Sequence, residues 1–544
     1  MNPRPSTFSV TGRSLRALAA GLVLCLGCGP TPPATPPAVP VPTSPTVPAA
    51  EPSTATAEPK KRARRNFDLE AARPKVEAFC GGCHAVPKPG SFPKKEWPNE
   101  VNLGFNIFLG SGRNDLQMPP VGDVVQYFQT LAPDQLVFPE RDPAPAKSPF
   151  QFVAEPIVSR EQTTPPLVAS LAIHRLNTAI GRQLFTCDMA SGLIEARTFN
   201  GIPGPALTLA SAAQPCHLEP VDFDGDGVFE FVAAALGSYQ PSDHNKGRVL
   251  LVRQRLEGGA KVEPEVLLDS VGRVADVRPA DFDGDGDLDL VVAEFGFIKT
   301  GRILLLRNQG GDQKSPRFEV EVLDDRHGTI HVPICDLNSD GRPDFIACIS
   351  QDQETIVAFL NDGAGGFEKK PLFAANDPAY GSNGIELIDL DRDGDLDVLY
   401  TNGDTLDSRF LKPYHSVQWL ENRGEFPFTH HHIDAMAGVS RALAGDFDGD
   451  GDLDIFAVAY FPVSLRNLAD SDRHASAILL ENTGKETFVR HILETGNTEH
   501  MSLELADIDD DGDLDALIGH YASNPNDKPG ERPQVTLWRN LRLK

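Results

Sequence analysis

The chain has 544 residues, with 77 acidic against 50 basic side chains and a formal net charge of −27. So acidic a body repels phosphate backbones, which argues against nucleic acid as a partner. Six short segments carry 28 of the acidic residues, enough to account for the whole excess and to suggest bound cations.

In chain order, Arg4, Arg13 and Arg16 precede an apolar run from Ala17 to Gly27. This has the shape of a secretory signal and is far too short to span a membrane. The end of the run, Leu24-Cys25-Leu26-Gly27-Cys28, is similar to a bacterial lipoprotein signal, although Cys25 stands where an aliphatic residue is usual. That resemblance implies export to the periplasm or cell surface, with residues 1–28 as the signal peptide and a lipid on Cys28 anchoring the chain to the membrane. An ordinary cleaved signal is the alternative. Residues 29–66 consist largely of Pro, Thr, Ala, Ser and Val and cannot bury a core, so they read as an extended tether. The basic cluster Lys60 to Arg65 closes it as a solvated run.

Cys80-Gly81-Gly82-Cys83-His84 is a C-x-x-C-H motif, which reads as the attachment site of a c-type haem. Two thiols three residues apart can form thioethers to one edge of a porphyrin, and the next residue turns its imidazole to the iron. A zinc site would want a second Cys/His pair, and residues 60–150 hold no other Cys or His. A dithiol oxidoreductase would want a βαβ context, which is absent. Asp68 as N-cap, with Leu69, Val76 and Phe79, predicts a helix over 68–79, and Val124, Val125, Phe128 and Leu131 predict another over 122–131. Between them Met118, followed by two prolines, is the only Met from the motif to residue 188. It is the candidate distal ligand, and a core-filling Met is the alternative. Residues 67–138 therefore resemble a small monohaem cytochrome c domain. The resemblance implies an all-α fold and one covalent haem c at Cys80, Cys83, His84 and Met118; the segment between His84 and Met118 is short for that family. A Pro-rich joint at 139–149 follows and is expected to couple the cytochrome weakly to residues 150–544.

Those remaining residues are a repeat array. Segments of the form D-x-[DN]-x-D-G-x-x-[DE] begin at Asp222, Asp281, Asp336, Asp389, Asp446 and Asp507, a period that signals a propeller or solenoid. Oxygens at positions 1, 3, 5 and 9, with a carbonyl at 7, can wrap one hard cation, and Gly at 6 permits the sharp turn. The ligand sets are Asp222, Asp224, Asp226 and Glu230; Asp281, Asp283, Asp285 and Asp289; Asp336, Asn338, Asp340 and Asp344; Asp389, Asp391, Asp393 and Asp397; Asp446, Asp448, Asp450 and Asp454; and Asp507, Asp509, Asp511 and Asp515. An EF-hand would need Glu at position 12 between helices, whereas short apolar runs such as Leu290 to Ala293 flank these loops. The loops resemble the calcium loops of FG-GAP/VCBS propeller repeats, which implies up to six Ca²⁺ and an all-β seven-bladed propeller after the small all-α domain. The blade before Asp222 lacks a loop. The chain ends without a fourth strand for its last blade, and Phe150 to Val158 is expected to supply it, closing the ring.

Cys335 with Cys348, and Cys187 with Cys216, are candidate disulfides in an exported chain. His217, Asp276, His331, Asn383, Arg441 and His500 precede the loops and are expected near the ring axis, where a polar mouth could hold a ligand. His430-His431-His432 should alternate between two faces of a strand, which argues against a three-His metal site. Together these features suggest an exported electron-transfer protein, anchored by lipid, whose propeller docks a redox partner protein or a glycan. The alternative is a periplasmic oxidoreductase or sugar-active enzyme in which the propeller holds substrate and the haem accepts electrons.

Overall fold

The computed structural model describes residues 67–138 and 148–541, except 159–163, 178–180, 200–201, 254–262, 312–313, 407–409, 467–473, 523–527, 529 and 531. The signal, Cys28, the tether, the basic cluster and linker residues 139–147 lie outside the described residues. Asn66–Lys544 forms one compact unit.

Three helices open it. In α1 (Leu69–Cys80) the Asp68 carboxylate accepts the Ala71 N–H at 3.1 Å, and at the other end the Gly81 N–H closes on Glu77 O at 2.9 Å. Helix α3 (Val121–Leu131) buries Val124, Tyr127 and Phe128. Between them α2 (Trp97–Ser111) was not expected from the sequence. Its Trp97, Val101, Phe105 and Phe108 recur at helical spacing and are all buried, a stripe masked by Pro98, Gly104 and Gly110. Phe79 packs 4.8 Å from Phe105 and 5.1 Å from Phe108, while Trp97 stacks on Phe128 at 4.0 Å.

Seven antiparallel sheets follow, each of four principal strands. The first strands of successive blades touch one another in a ring that closes from His500–Ala506 back onto Val168–Asn177, so they line the axis. Second strands such as Asp289–Glu294 and Asp454–Ala459 are buried along their whole length. That is why they read as continuous apolar runs rather than alternating ones. The last blade takes its outer strand from the chain's other end, as expected. Phe152–Ile157 pairs antiparallel with Val535–Asn540, from Phe152 opposite Asn540 to Ile157 opposite Val535. Blade 1, Val168 to Ser211, carries no aspartate loop. The candidate disulfides do not form: Cys187, Cys216, Cys335 and Cys348 are free. Cys335 pairs with Asp344 and Cys348 with His331, so the two cysteines sit at separated rungs of one hairpin.

The helical unit packs directly on the propeller, which corrects the expectation of weak coupling. The Ser91 hydroxyl donates to Asp377 at 2.5 Å, and Lys88 Nζ donates to Ala375 O at 3.3 Å. Phe92 meets Phe410 edge-on at 5.9 Å. Lys412 Nζ lies 4.8 Å over the Phe92 ring, 5.9 Å over Tyr414, and donates to Ala379 O. Lys412 is 2% and Asp377 3% exposed, so both charges are sealed within the contact. The segments around 375–380 and 402–415 join strands at the ends opposite the aspartate loops. The two faces of the ring are thereby divided between helices and loops. Beneath the contact, Glu354 accepts the Ser382 N–H at 2.8 Å and also its hydroxyl, and burial pushes its carboxyl up to about 8.

Phe152→Ala should lower propeller stability by about 2 kcal/mol in a denaturant melt, because the ring packs against Phe447, Phe456 and Trp538; an unchanged midpoint would contradict closure by this strand. A carboxyl raised in the folded state contributes stability below its unfolded value and loses it as pH rises through the folded one. The Glu354 contribution should therefore fall between about pH 4.5 and 8. Glu354→Gln should flatten that part of the stability–pH curve.

Candidate functional site

The six loops each join the first strand of a blade to the second. Their backbone turns twice through the left-handed region, at position 6 (Gly286, φ 93°) and also at position 4 (Gly284, φ 75°), which sequence reasoning missed. Arg392 and Asp510 take position 4 at φ 60° and 61°, so a Gly-only signal is absent there. The position-1 carboxylate accepts the position-6 N–H, at 3.0 Å from Gly286 to Asp281 and from Gly394 to Asp389. Position 5 accepts the N–H of position 7, at 2.8 Å from Asp452 to Asp450.

The position-9 side chain is buried and tied on both oxygens. Asp454 accepts the Phe447 N–H at 3.0 Å on Oδ2 and the Asn482 N–H at 2.8 Å on Oδ1. Asp289, Asp344, Asp397 and Asp515 repeat this pair of bonds, whereas Glu230 is held by Arg253 at 3.0 Å. Burial pushes Asp289, Asp397 and Asp515 up to about 6 and Asp454 up to about 7, with loop neighbours such as Asp283 and Asp448 acting the same way.

Five loops gather three carboxylates within 4.8 Å of one another. These are Asp222, Asp224 and Asp226; Asp281, Asp283 and Asp285; Asp389, Asp391 and Asp397; Asp446, Asp448 and Asp454; and Asp507, Asp509 and Asp511. The buried Oδ1 atoms of Asp222 and Asp389 meet no donor among the described residues. Crowded, partly unsatisfied carboxylate oxygens suit a hard cation such as Ca²⁺. The loop at Asp336 departs from the expected pattern. Arg342, at position 7, pairs its guanidinium with Asp340 and donates to Asn361 O, while Asn338 donates to Asp340 at 2.9 Å. An arginine supplies there the positive charge a metal would bring, and the carboxylates Asp336, Asp340 and Asp344 do not gather as a trio.

On the helical unit, Cys80 ends α1 while Cys83 and His84 follow in the turn. Burial pushes the Cys80 thiol up to about 11; Cys83 is exposed and accepts Arg113 Nη1 at 2.8 Å. Arg113 Nη1 also reaches Gly82 O at 3.2 Å, and Leu116 packs on Gly82 so closely that a Cβ there would stand 2.4 Å from it. The chain leading to Met118, which is 46% exposed, thus folds over the motif. His84 Nδ1 faces Ala85 O at 2.7 Å. A carbonyl only accepts, so Nδ1 is the protonated nitrogen and Nε2 is left with a lone pair. Two thiols and an imidazole lone pair in one turn are groups that a covalently held haem would use.

Around the axis the structure joins three of the expected residues: His217 Nε2 lies 3.1 Å from Asp276 Oδ1, and His331 Nδ1 lies 3.9 Å from Asp276 Oδ2. Arg278 binds Asp276 at 3.0 Å and Glu219 at 2.6 Å. Asp276 is fully buried, yet Arg278, with the neighbouring imidazoles and the Val332 N–H, holds it below the usual carboxylate range. Burial and Arg441 push His331 down to about 3, and burial raises Glu386 and Glu504 to about 7. Arg278, His331, Glu386 and Arg441 line a cavity of about 250 Å³. Asn383 is spent on Thr401 and Val439 O. His500 is 1% exposed and turned to Glu494 at 2.6 Å, so it is no axial ligand. Glu219, Arg278, Glu386 and Glu504 were missed, although strand alternation places the first two just two residues beyond His217 and Asp276. His430 and His431 bind separate partners, Gln418 and Glu421, so the three histidines form no common site.

Removing calcium with a chelator should lower the propeller melting temperature. Asp224→Ala should weaken that calcium dependence with little effect on the chelated protein. Asp454→Ala should cost about 1–3 kcal/mol even in chelator, because it strands two backbone N–H groups. Arg342→Ala should enlarge the calcium response, because it frees the loop at Asp336 for a cation. Melting curves indifferent to calcium throughout would contradict metal binding by the loops.

Residues 222–292 and 336–400 match the FG-GAP-like repeat family, covering four of the six loops. A T-cell immunomodulatory protein homolog of Plasmodium yoelii yoelii is 24% identical over 213 residues, 34% of this chain and 30% of that protein. The chain thus spans less than a third of that relative's length. Among solved structures, BBS1N in complex with ARL6DN is similar in its lead-soaked form (TM-score 0.41, 10% identity) and in its mercury-soaked form (TM-score 0.42, 11% identity). Each match covers 73% of this chain and 98% of the other. Four of the aspartate loops thus lie in segments similar to FG-GAP-like repeats, and all six are carried on a seven-bladed β-propeller.

Proposed function

We propose that this chain is an exported electron-transfer protein, with a c-type haem on the helical unit and a calcium-stabilised propeller that binds a redox partner protein or a glycan. The observation that carries the reading is the C-x-x-C-H turn, in which Ala85 O holds His84 Nδ1 and so presents Nε2. Cys80 and Cys83 would hold the group covalently, and His84 and Met118 are the residues that would ligate its iron. When bound, the haem supplies reversible one-electron exchange, and a Met/His pair keeps other molecules off the iron. Arg113 and Leu116 keep the Met118 segment over the motif. The lipoprotein-like signal places the chain at the periplasm or cell surface, held by lipid at Cys28. FG-GAP-type propellers serve generally as binding scaffolds, which supports the docking role.

A second reading, an oxidoreductase whose propeller holds the substrate, draws support from the axial cavity with its two arginines. Haem reduction by added sugars or alcohols, lost in Arg441→Ala, would favour it over the carrier.

Protein matured in a host competent for c-type haem should give a pyridine haemochrome spectrum of one haem per chain. Cys80→Ser/Cys83→Ser should lose covalent attachment, and Met118→Ala should remove the sulfur-to-iron charge-transfer band. A wild-type chain that carries no covalent haem under these conditions would end the reading.

A further inference from the structure

The axial cavity of about 250 Å³ is lined by two ionisable side chains that the fold sets in place and leaves without an ionic partner. Arg441 comes from the first strand of blade 6 (Val439–Gly445), and Glu386 from that of blade 5 (Gly384–Ile388). Each is oriented by the other's strand. Arg441 Nη1 donates to Ile385 O at 3.0 Å, and Glu386 Oε2 accepts the Ala444 N–H at 2.8 Å. Neither forms an ion pair with any described residue. A guanidinium carries five N–H donors, so most of those on Arg441 remain to be used. The rest of the polar wall does not meet these needs. Arg278 is engaged by Asp276 at 3.0 Å and by Glu219 at 2.6 Å. His331, pushed down to about 3 by burial and Arg441, stays neutral. Burial pushes the Glu386 carboxyl up to about 7 in spite of the Ala444 N–H and Arg441. Pro333, Ile334, Ile385, Leu387 and Leu443 complete the lining. No aromatic ring is among them, so a sugar would find no face to stack on.

We infer that the axial cavity binds a small zwitterion, an aliphatic α-amino acid whose carboxylate meets Arg441 and whose ammonium meets Glu386. A ligand bearing both charges supplies each unpaired group with its complement. A simple anion leaves Glu386 without a cation, and a simple amine leaves Arg441 without an anion, each at a desolvation cost. The apolar wall takes the side chain. Two recognition groups already held by backbone bonds lose little freedom on binding. The inference goes beyond the electron-transfer reading and needs no haem.

The test is isothermal titration calorimetry of the full-length, calcium-loaded protein with L-valine, isovalerate and isobutylamine, the last two lacking the ammonium and the carboxylate in turn. L-Valine should bind, and each analogue should bind more weakly by about tenfold or more. Arg441→Gln should weaken valine by a similar factor and remove its advantage over isobutylamine. Glu386→Gln should remove its advantage over isovalerate. A calcium-loaded melting curve establishes that each variant is folded, and the wild-type series decides alone if one is not. Either analogue binding as tightly as valine, valine binding unchanged in either variant, or no valine binding at millimolar concentration would overturn the inference. Binding of glucose but not valine would also overturn it, and would favour the sugar-active reading. Absence of covalent haem would overturn the electron-transfer reading and leave this one standing.

Discussion

The ninth-position carboxylate is the constraint on which the propeller depends. In five blades a buried Asp accepts one N–H from its own loop and another from the Asn that ends the third strand, as Asp289 does from Phe282 and Asn308. One side chain thereby fixes where the aspartate loop sits relative to the blade edge. The Asn side chain extends the link to the neighbouring blade, from Asn361 Nδ2 to Phe282 O at 2.8 Å and from Asn540 Nδ2 to Phe447 O at 3.1 Å. The same carboxylates are desolvated and crowded by acidic neighbours, so their charge is costly until a cation or an arginine balances it. Four of these five blades, and the Asp222 loop besides, gather carboxylate trios that a cation would balance. The loop at Asp336 builds that balance in through Arg342.

The opposite face answers a different electrostatic problem. There Lys412 and Asp377 are sealed between domains, and buried charge gives little net stability even when well paired. What it supplies is a specific geometry: Lys412 fits between Phe92 and Tyr414 and points at one carbonyl, while Asp377 receives Ser91 and Lys88. The helices are thus held in one orientation on this face of the ring. The axis, lined by Arg278, His331, Glu386 and Arg441, gathers charged and polar groups in a small cavity, the kind of setting in which a polar ligand is recognised.

Much of this was legible in the sequence because its signals are local. The loop spacing fixes which strands the hairpins join, and the apolar position 2 marks a residue the fold then buries, as with Phe447 and Ile508. The missing outer strand and its replacement by Phe152–Ile157 followed from counting strands at the two ends. The misses arose where the controlling contact is remote or composition misleads. Helix α2 was hidden by Pro98 and two glycines, although Trp97, Val101, Phe105 and Phe108 carried its period. Position 9 looked like an ordinary ligand because its second partner, an Asn 17 to 28 residues later, is set by tertiary register. The docked helices were invisible because Ser91 and Asp377 are 286 residues apart, and a Pro-rich joint says nothing about surfaces that meet beyond it.

The central claim is that the loops are cation sites arranged by this shared carboxylate, with Arg342 standing in at one of them. Equilibrium calcium titration of the full chain, read as bound ions per protein, tests it most directly. The account predicts five bound Ca²⁺, matching the five carboxylate trios, and a sixth only when Arg342 is replaced by a neutral residue. A chain that binds none, or one whose stoichiometry is six with Arg342 in place, would contradict it.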